Sequence, residues 1–167
     1  MATRIYWIEN FSNGARLGIM ARPRAADWLD DEVLSLKKQK VGTLVSLLEP
    51  TEIKELGLEK ESETCERHHI EFINFPIPDR GTPASDKHIS SLIKVIIERI
   101  ETGSSVIIHC RMGIGRSSIV AAAVLLLKGY TADQAICQIT VVRGLKVPDT
   151  DEQVAWLRKR EVPGSRA

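Results

Sequence analysis

The chain is 167 residues long, 43% hydrophobic and 27% charged, with 23 basic residues against 22 acidic ones and a formal net charge of +1. That length predicts a single domain with a full core, and the near-neutral balance excludes a general electrostatic case for nucleic acid or a membrane as partner. No apolar run is long enough to span a bilayer, the first ten residues do not read as a signal peptide, and three cysteines argue for a reducing, cytoplasmic setting rather than a disulfide framework.

Residues 4–8 and 17–20 read as two strands. Residues 27–40 are amphipathic, with Trp28, Val33, Leu34 and Leu36 at apolar positions and a lysine-rich end that suits the helix dipole. A β-rich apolar run follows at 43–48, then helical stretches at 52–56 and 61–69. Residues 70–73 read as a short strand. Phe75-Pro76-Ile77-Pro78-Asp79-Arg80-Gly81-Thr82-Pro83 comes next, and three prolines and a glycine make it a stiff loop.

Residues 85–101 predict a helix with Ile89, Leu92, Ile93, Ile96, Ile97 and Ile100 on its buried side, stopped by Gly103. Residues 105–109 predict a central strand. The stretch 117–128 is apolar nearly all round, so it predicts a buried helix. Two more helices are expected at 131–142, with Thr131 as cap, and at 150–160. The domain is expected to span 1–162, with 163–167 as a disordered tail. The alternation predicts an α/β fold, a central mixed, mostly parallel sheet flanked by helices, with ligand chemistry at its carboxyl edge.

The most informative segment is His109-Cys110-Arg111-Met112-Gly113-Ile114-Gly115-Arg116-Ser117-Ser118. A strand, a tight loop and a helix start meet here. Such a junction gathers backbone N–H groups at one spot, and the helix dipole favours negative charge there. The two glycines let the backbone curl around a ligand. Arg116 offers a planar fork to phosphate oxygens. The same field acts on the Cys110 sulfur, and such surroundings lower a thiol from about 8.5 to roughly 3.5–7.5, which makes a thiolate nucleophile. There is no Gly-Lys-Ser/Thr for an NTP-binding loop and no complete dinucleotide fingerprint.

This His-Cys-x5-Arg-Ser loop resembles the signature of the cysteine-dependent protein tyrosine phosphatases, in particular their small dual-specificity-like branch. The resemblance implies a protein tyrosine phosphatase-like fold. It also implies hydrolysis of phosphotyrosine, with phosphoserine and phosphothreonine as further substrates in proteins, through a cysteinyl-phosphate intermediate. Residues 111–116 (Arg111, Met112, Gly113, Ile114, Gly115 and Arg116) are then the phosphate-binding loop. Pro78-Asp79-Arg80-Gly81-Thr82-Pro83 resembles the family's acid loop, with Asp79 as acid in the first step and base in the second. Ile77 stands where longer members carry a hinge tryptophan.

Ser117 is placed to cap the following helix, and the resemblance implies that its hydroxyl also eases breakdown of the phosphoenzyme. His109 is expected to tune Cys110 through hydrogen bonding. Gln153 matches the second glutamine of the family's late, water-orienting loop, and Asp149 stands where tyrosine-specific members hold the first. Thr150 and Gln153 also have the spacing of a capping box. Cys65 and Cys137 read as plain thiols. No cofactor and no metal is expected, because neither His68-His69 nor any cysteine has ligand spacing. Two other readings stay open: a rhodanese-like sulfurtransferase or arsenate reductase, which needs no Asp79, and a phosphate-binding module without catalysis.

Overall fold

The computed structural model describes residues 1–161, so the boundary expected at 162 and the tail beyond it lie outside the described residues. The elements run β1 (Tyr6–Asn10), β2 (Arg16–Met20), α1 (Leu29–Lys38), β3 (Val41–Ser46), α2 (Pro50–Glu55), α3 (Glu61–Arg67), β4 (Glu71–Asn74), α4 (Asp86–Glu101), β5 (Ser105–His109), α5 (Arg116–Leu127), α6 (Ala132–Arg143) and α7 (Asp151–Lys159). They form one sheet in the order β1-β2-β5-β3-β4, with β1 antiparallel to β2 and the other pairs parallel. The expected mixed, mostly parallel sheet is present, with β5 at its centre.

Both faces of this sheet are covered, which is why its inner strands read as continuous apolar runs. Side chains alternate along β5. Val106 and Ile108 join one core with α4, α5, α6 and α7, through Ile93, Val120, Ile139 and Leu157. Ile107 joins the other, with Val33 and Leu36 of α1 and Cys65 of α3. In α5 every residue from Arg116 to Leu126 is buried, as its all-round apolarity predicts.

Local expectations shift at several element ends, including β3, which runs over Val41–Ser46 rather than 43–48. The first strand runs to Asn10 because its pairing with β2 continues to the hairpin turn, where the Phe11 N–H donates to the Ala15 carbonyl at 2.8 Å. The helix expected from residue 27 begins as a 3₁₀ turn over Ala26–Trp28. Trp28 is 53% exposed rather than core, and its ring lies under the Arg24 guanidinium at 4.4 Å. The third helix stops at Arg67, and His69 adopts a left-handed φ of 59° that leads into β4.

The carboxyl ends of the parallel strands are stitched together. The Leu47 N–H donates to the His109 carbonyl at 3.0 Å, the Ile77 N–H to the Leu47 carbonyl at 3.1 Å, and the Arg22 N–H to the Arg111 carbonyl at 3.2 Å. Asn74 Nδ2 donates to the carbonyls of Ser46 and Leu48 at 3.0 and 3.1 Å. The segments that leave β2, β3, β4 and β5 therefore converge on one edge.

Candidate active site

Cys110 follows β5 directly and is 2% exposed. Gly113 takes a φ of +70°, and its N–H lies 3.3 Å from Cys110 Sγ. A Cβ at Gly113 would sit 2.7 Å from the carbonyl carbon of Met20, so only glycine lets this backbone pass. Gly115 is the N-cap of α5. The expectation that Ser117 caps that helix is therefore corrected: Ser117 lies inside the first turn, and its Oγ is 3.2 Å from Cys110 Sγ. The hydroxyl serves the sulfur instead of the helix end.

The loop is held from outside by Arg143, whose Nε and Nη2 donate to the carbonyls of Gly113 and Met112 at 3.0 and 3.2 Å. The Arg143 guanidinium also lies 4.2 Å from the Tyr6 ring centre. Arg111 pairs with Glu55 at 3.7 Å. Met112 is exposed, and its carbonyl anchors the loop through Arg143.

Arg116 is buried, and its guanidinium is committed on three sides. Nη1 donates to Glu52 Oε2 at 2.8 Å and to the Ile77 carbonyl at 3.0 Å. Nη2 donates to Glu52 Oε1 at 2.9 Å and to Asp79 Oδ1 at 3.1 Å. Burial alone would push this guanidinium down, but the Glu52 hydrogen bonds and the nearby Cys110, Glu52 and Asp79 hold it above its ordinary value. Burial would likewise raise the Glu52 carboxyl, yet donation from Arg116 and from the Glu49 N–H keeps it below the usual carboxylate range. Among the described residues, this is the pair that turns a buried charge into a fixed fork.

Asp79 is well exposed beside this fork. The loop that carries Asp79 is tied down at several points. Ile77, at the hinge-tryptophan position, is fully buried and accepts from Arg116. Arg80, at a φ of 59°, donates from Nη1 to Asp149 Oδ2 at 2.9 Å. Gln153 Nε2 donates to the Gly81 carbonyl at 3.0 Å, while its Oε1 accepts from the N–H groups of Asp149 and Thr150 at 3.0 and 3.1 Å. Thr150 and Gln153 do form the capping box that their spacing predicts. Gln153 thus caps α7 and staples the acid loop at the same time. Cys110, Arg116, Asp79, Arg80, Asp149 and Gln153 line one cleft of about 180 Å³. A larger groove of about 640 Å³ runs along α6 past Tyr130, Cys137 and Val141 and shares no residue with this cleft.

Behind Cys110, His109 is fully buried. Its Nδ1 lies 3.1 Å from the Cys110 carbonyl and its Nε2 lies 2.6 Å from Glu61 Oε2. Burial pushes the imidazole down, but the Glu61 carboxylate and the carbonyl bond more than offset it, and the ring is held above its ordinary value.

The cleft brings together Cys110, Arg116, Asp79, Asp149 and Gln153, with Ser117 buried against Cys110 Sγ and His109 hydrogen-bonded to the Cys110 carbonyl. Glu52 and Glu61 enter as partners that sequence reasoning did not find. A buried arginine demands a carboxylate, but the chain offers 22 acidic residues and no local pattern selects among them.

A family model described as polymorphic toxin system, DSP-PTPase phosphatase, matches residues 18–130. Putative tyrosine phosphatase 067L of Invertebrate iridescent virus 3 is 32% identical over 76 residues, which cover 40% of this chain and 32% of that protein. The match therefore spans only about a third of the curated relative's length. Among solved structures, kinase associated phosphatase with serine in place of its catalytic-site cysteine is similar over 95% of this chain and 94% of that one. Its TM-score is 0.85 at 20% identity. Tk-PTP in its active form is similar at a TM-score of 0.75 and 26% identity, over 94% of this chain and 95% of that one.

Proposed function

The chain belongs to the DSP-PTPase phosphatase family, and from that premise we propose that it hydrolyses phosphomonoesters on proteins through a cysteinyl-phosphate at Cys110. The substrates are phosphotyrosine and, in the same cleft, phosphoserine and phosphothreonine. The observation that carries this reading is the meeting of Cys110 Sγ, the Arg116 fork and Asp79 in one cleft.

The chemistry follows from who already holds whom. Asp79 Oδ1 occupies Arg116 Nη2, so an incoming phosphate oxygen takes that donor from Asp79 while Glu52 keeps the guanidinium in place. Backbone N–H groups at the start of α5 add to the cradle. Cys110 Sγ attacks phosphorus in line with the ester oxygen, and Arg116 meets the charge that develops on the transferring phosphoryl. Asp79, displaced from Arg116 but still tethered by Ile77 and Gly81, takes up a proton from solvent and passes it to the leaving oxygen as the P–O bond breaks. In the second step Asp79 takes a proton from water, which attacks phosphorus and expels Cys110. The Ser117 hydroxyl, 3.2 Å from Sγ, donates to the departing thiolate. Arg116 supplies the positive charge throughout, so no step needs a metal or a cofactor.

Gln153 serves this scheme by position. Its carbonyl oxygen accepts two N–H groups and its amide holds Gly81, which favours a role in fixing the acid loop. A sulfurtransferase or a non-catalytic phosphate module has no use for Asp79 presented on Arg116, so neither is favoured. No helix among the described residues is long and apolar enough to cross a membrane. The three free cysteines fit work in a reducing compartment, and we place the protein in the cytoplasm.

A panel of phosphopeptides assayed in reductant and chelator tests the reading. Turnover is expected in the wild type and is expected to vanish in Cys110→Ser. Undiminished hydrolysis by Cys110→Ser would overturn the mechanism, and thiosulfate-dependent sulfur transfer without hydrolysis would favour the sulfurtransferase.

A further inference from the structure

Glu61 has no part in the cleft, yet it is 1% exposed and its carboxylate lies against the ring of the residue that precedes the nucleophile. Each ring nitrogen of His109 faces an oxygen that accepts. Nδ1 faces the Cys110 carbonyl and Nε2 faces Glu61. A carbonyl only accepts hydrogen bonds, and so does an ionised carboxylate, so this geometry is satisfied when both nitrogens carry protons. We propose that Glu61 is a positioning residue for the nucleophile: it holds His109 as an imidazolium whose Nδ1–H points at the carbonyl of Cys110.

The inference rests on the phosphatase reading of Cys110 and adds to it a positive charge buried beneath the loop. Cys110 interacts electrostatically with both His109 and the Arg116 guanidinium, and positive charge near a thiol favours its anion in general. Glu52 and Asp79 both pair with Arg116, and Asp79 lines the same cleft as Cys110. The upward shift of His109 agrees with the pairing. Along α3, Cys65 also lies near Glu61. Burial first, and the Glu61 charge second, push its thiol up to about 12, so it stays protonated beside the pair. Removing the Glu61 charge while keeping its shape leaves His109 free to become a neutral imidazole that still donates from Nδ1. Glu61→Gln therefore separates charge from packing.

Two measurements test this. In wild-type protein labelled with ¹⁵N at histidine, both ring nitrogens of His109 are expected to be protonated at about pH 8, above the ordinary histidine value; a singly protonated ring there overturns the proposal, whether or not any variant folds. Alkylation of Cys110 by iodoacetamide, followed on its own peptide, is expected to slow roughly tenfold in Glu61→Gln at about pH 6 and to match wild type at about pH 10. In a His109→Ala background, Glu61→Gln should add no further loss. A loss equal at both pH values, or one that persists without His109, marks a purely structural Glu61 and overturns the proposal. Alkylation needs no turnover, so it judges Glu61 even if the phosphopeptide assay fails, and a failed assay sinks only the hydrolytic reading.

Discussion

Glu52 takes Arg116 end-on, with Nη1 on one carboxylate oxygen at 2.8 Å and Nη2 on the other at 2.9 Å. The two residues are 64 apart in the chain. Their fork-to-fork contact means that Arg116 reaches the cleft already oriented, with its rotamer entropy spent in folding.

Glu52→Ala is expected to be costly twice over. It strands a buried guanidinium, which costs about 3 kcal/mol of stability, and it frees the fork, which lowers kcat/KM by on the order of 10². Urea unfolding and steady-state kinetics on one preparation check both, and unchanged kinetics in a folded variant would remove Glu52 from the machinery.

Asp79→Asn is expected to lower kcat by roughly 10²–10⁴ for alkyl phosphates, which need a proton on the leaving oxygen, and far less for an aryl phosphate with a good leaving group. Because Asp79 Oδ1 competes for Arg116 Nη2, the same variant should bind inorganic phosphate more tightly. A comparison of inhibition constants and of two leaving groups checks this. Equal losses for both leaving groups would count against Asp79 as the acid.

Gly113→Ala and Gly129→Ala both force alanine into positive φ, at +70° and +98°. Only at Gly113 does the new Cβ also meet backbone, 2.7 Å from Met20, whereas nothing lies within 4 Å of a Cβ at Gly129. Gly129→Ala should therefore cost about 1 kcal/mol of strain, and Gly113→Ala clearly more, together with loss of turnover. Thermal melting of the two variants ranks them.

The acid loop has an exposed tie and a buried one. Arg80 and Asp149 are 63% and 36% exposed, so their pair is expected to couple by less than ~1 kcal/mol in a double-mutant cycle and to weaken with salt. Gln153 is fully buried, so Gln153→Ala should reduce turnover more than Arg80→Gln does. The reverse order would mean that the surface pair governs the loop.

Acid should loosen the fold through Glu52. Its carboxyl is held below 4.5 in the folded state, so its stabilising contribution is complete above pH 4.5 and is lost as the pH falls through the lower folded value. His109 has the opposite sign. It is held above 6.5, so its contribution is complete below that pH and is lost as the pH rises through the folded value. Urea unfolding against pH should show a shallower acid limb in Glu52→Gln and a shallower alkaline limb in Glu61→Gln.

Much of this molecule is legible in the linear chain because its determinants are local. Continuous apolar runs mark strands buried on both faces, the apolar helix α5 marks the core, and the Thr150–Gln153 spacing marks a cap. The Cys110–Arg116 loop is contiguous, so its chemistry can be read without a fold. The places where local reading slips are places where a distant partner decides. Pairing with β2 extends β1 to Asn10, Trp28 lies at the surface under Arg24, and α5 begins at Arg116, so Ser117 falls inside its first turn with its hydroxyl on Cys110 Sγ.

The chain by itself thus determined the Cys110–Arg116 loop, the proline-bounded loop that carries Asp79 and the layered α/β plan, since each depends on neighbours in sequence or on periodicity. Only the tertiary structure decided that Glu52 orients Arg116, that Glu61 holds His109 and that Arg143 clasps the loop. The physical reason is that a buried charge or ring nitrogen must find a partner, but which carboxylate reaches it depends on where parallel strands end side by side, and no spacing along the chain records that.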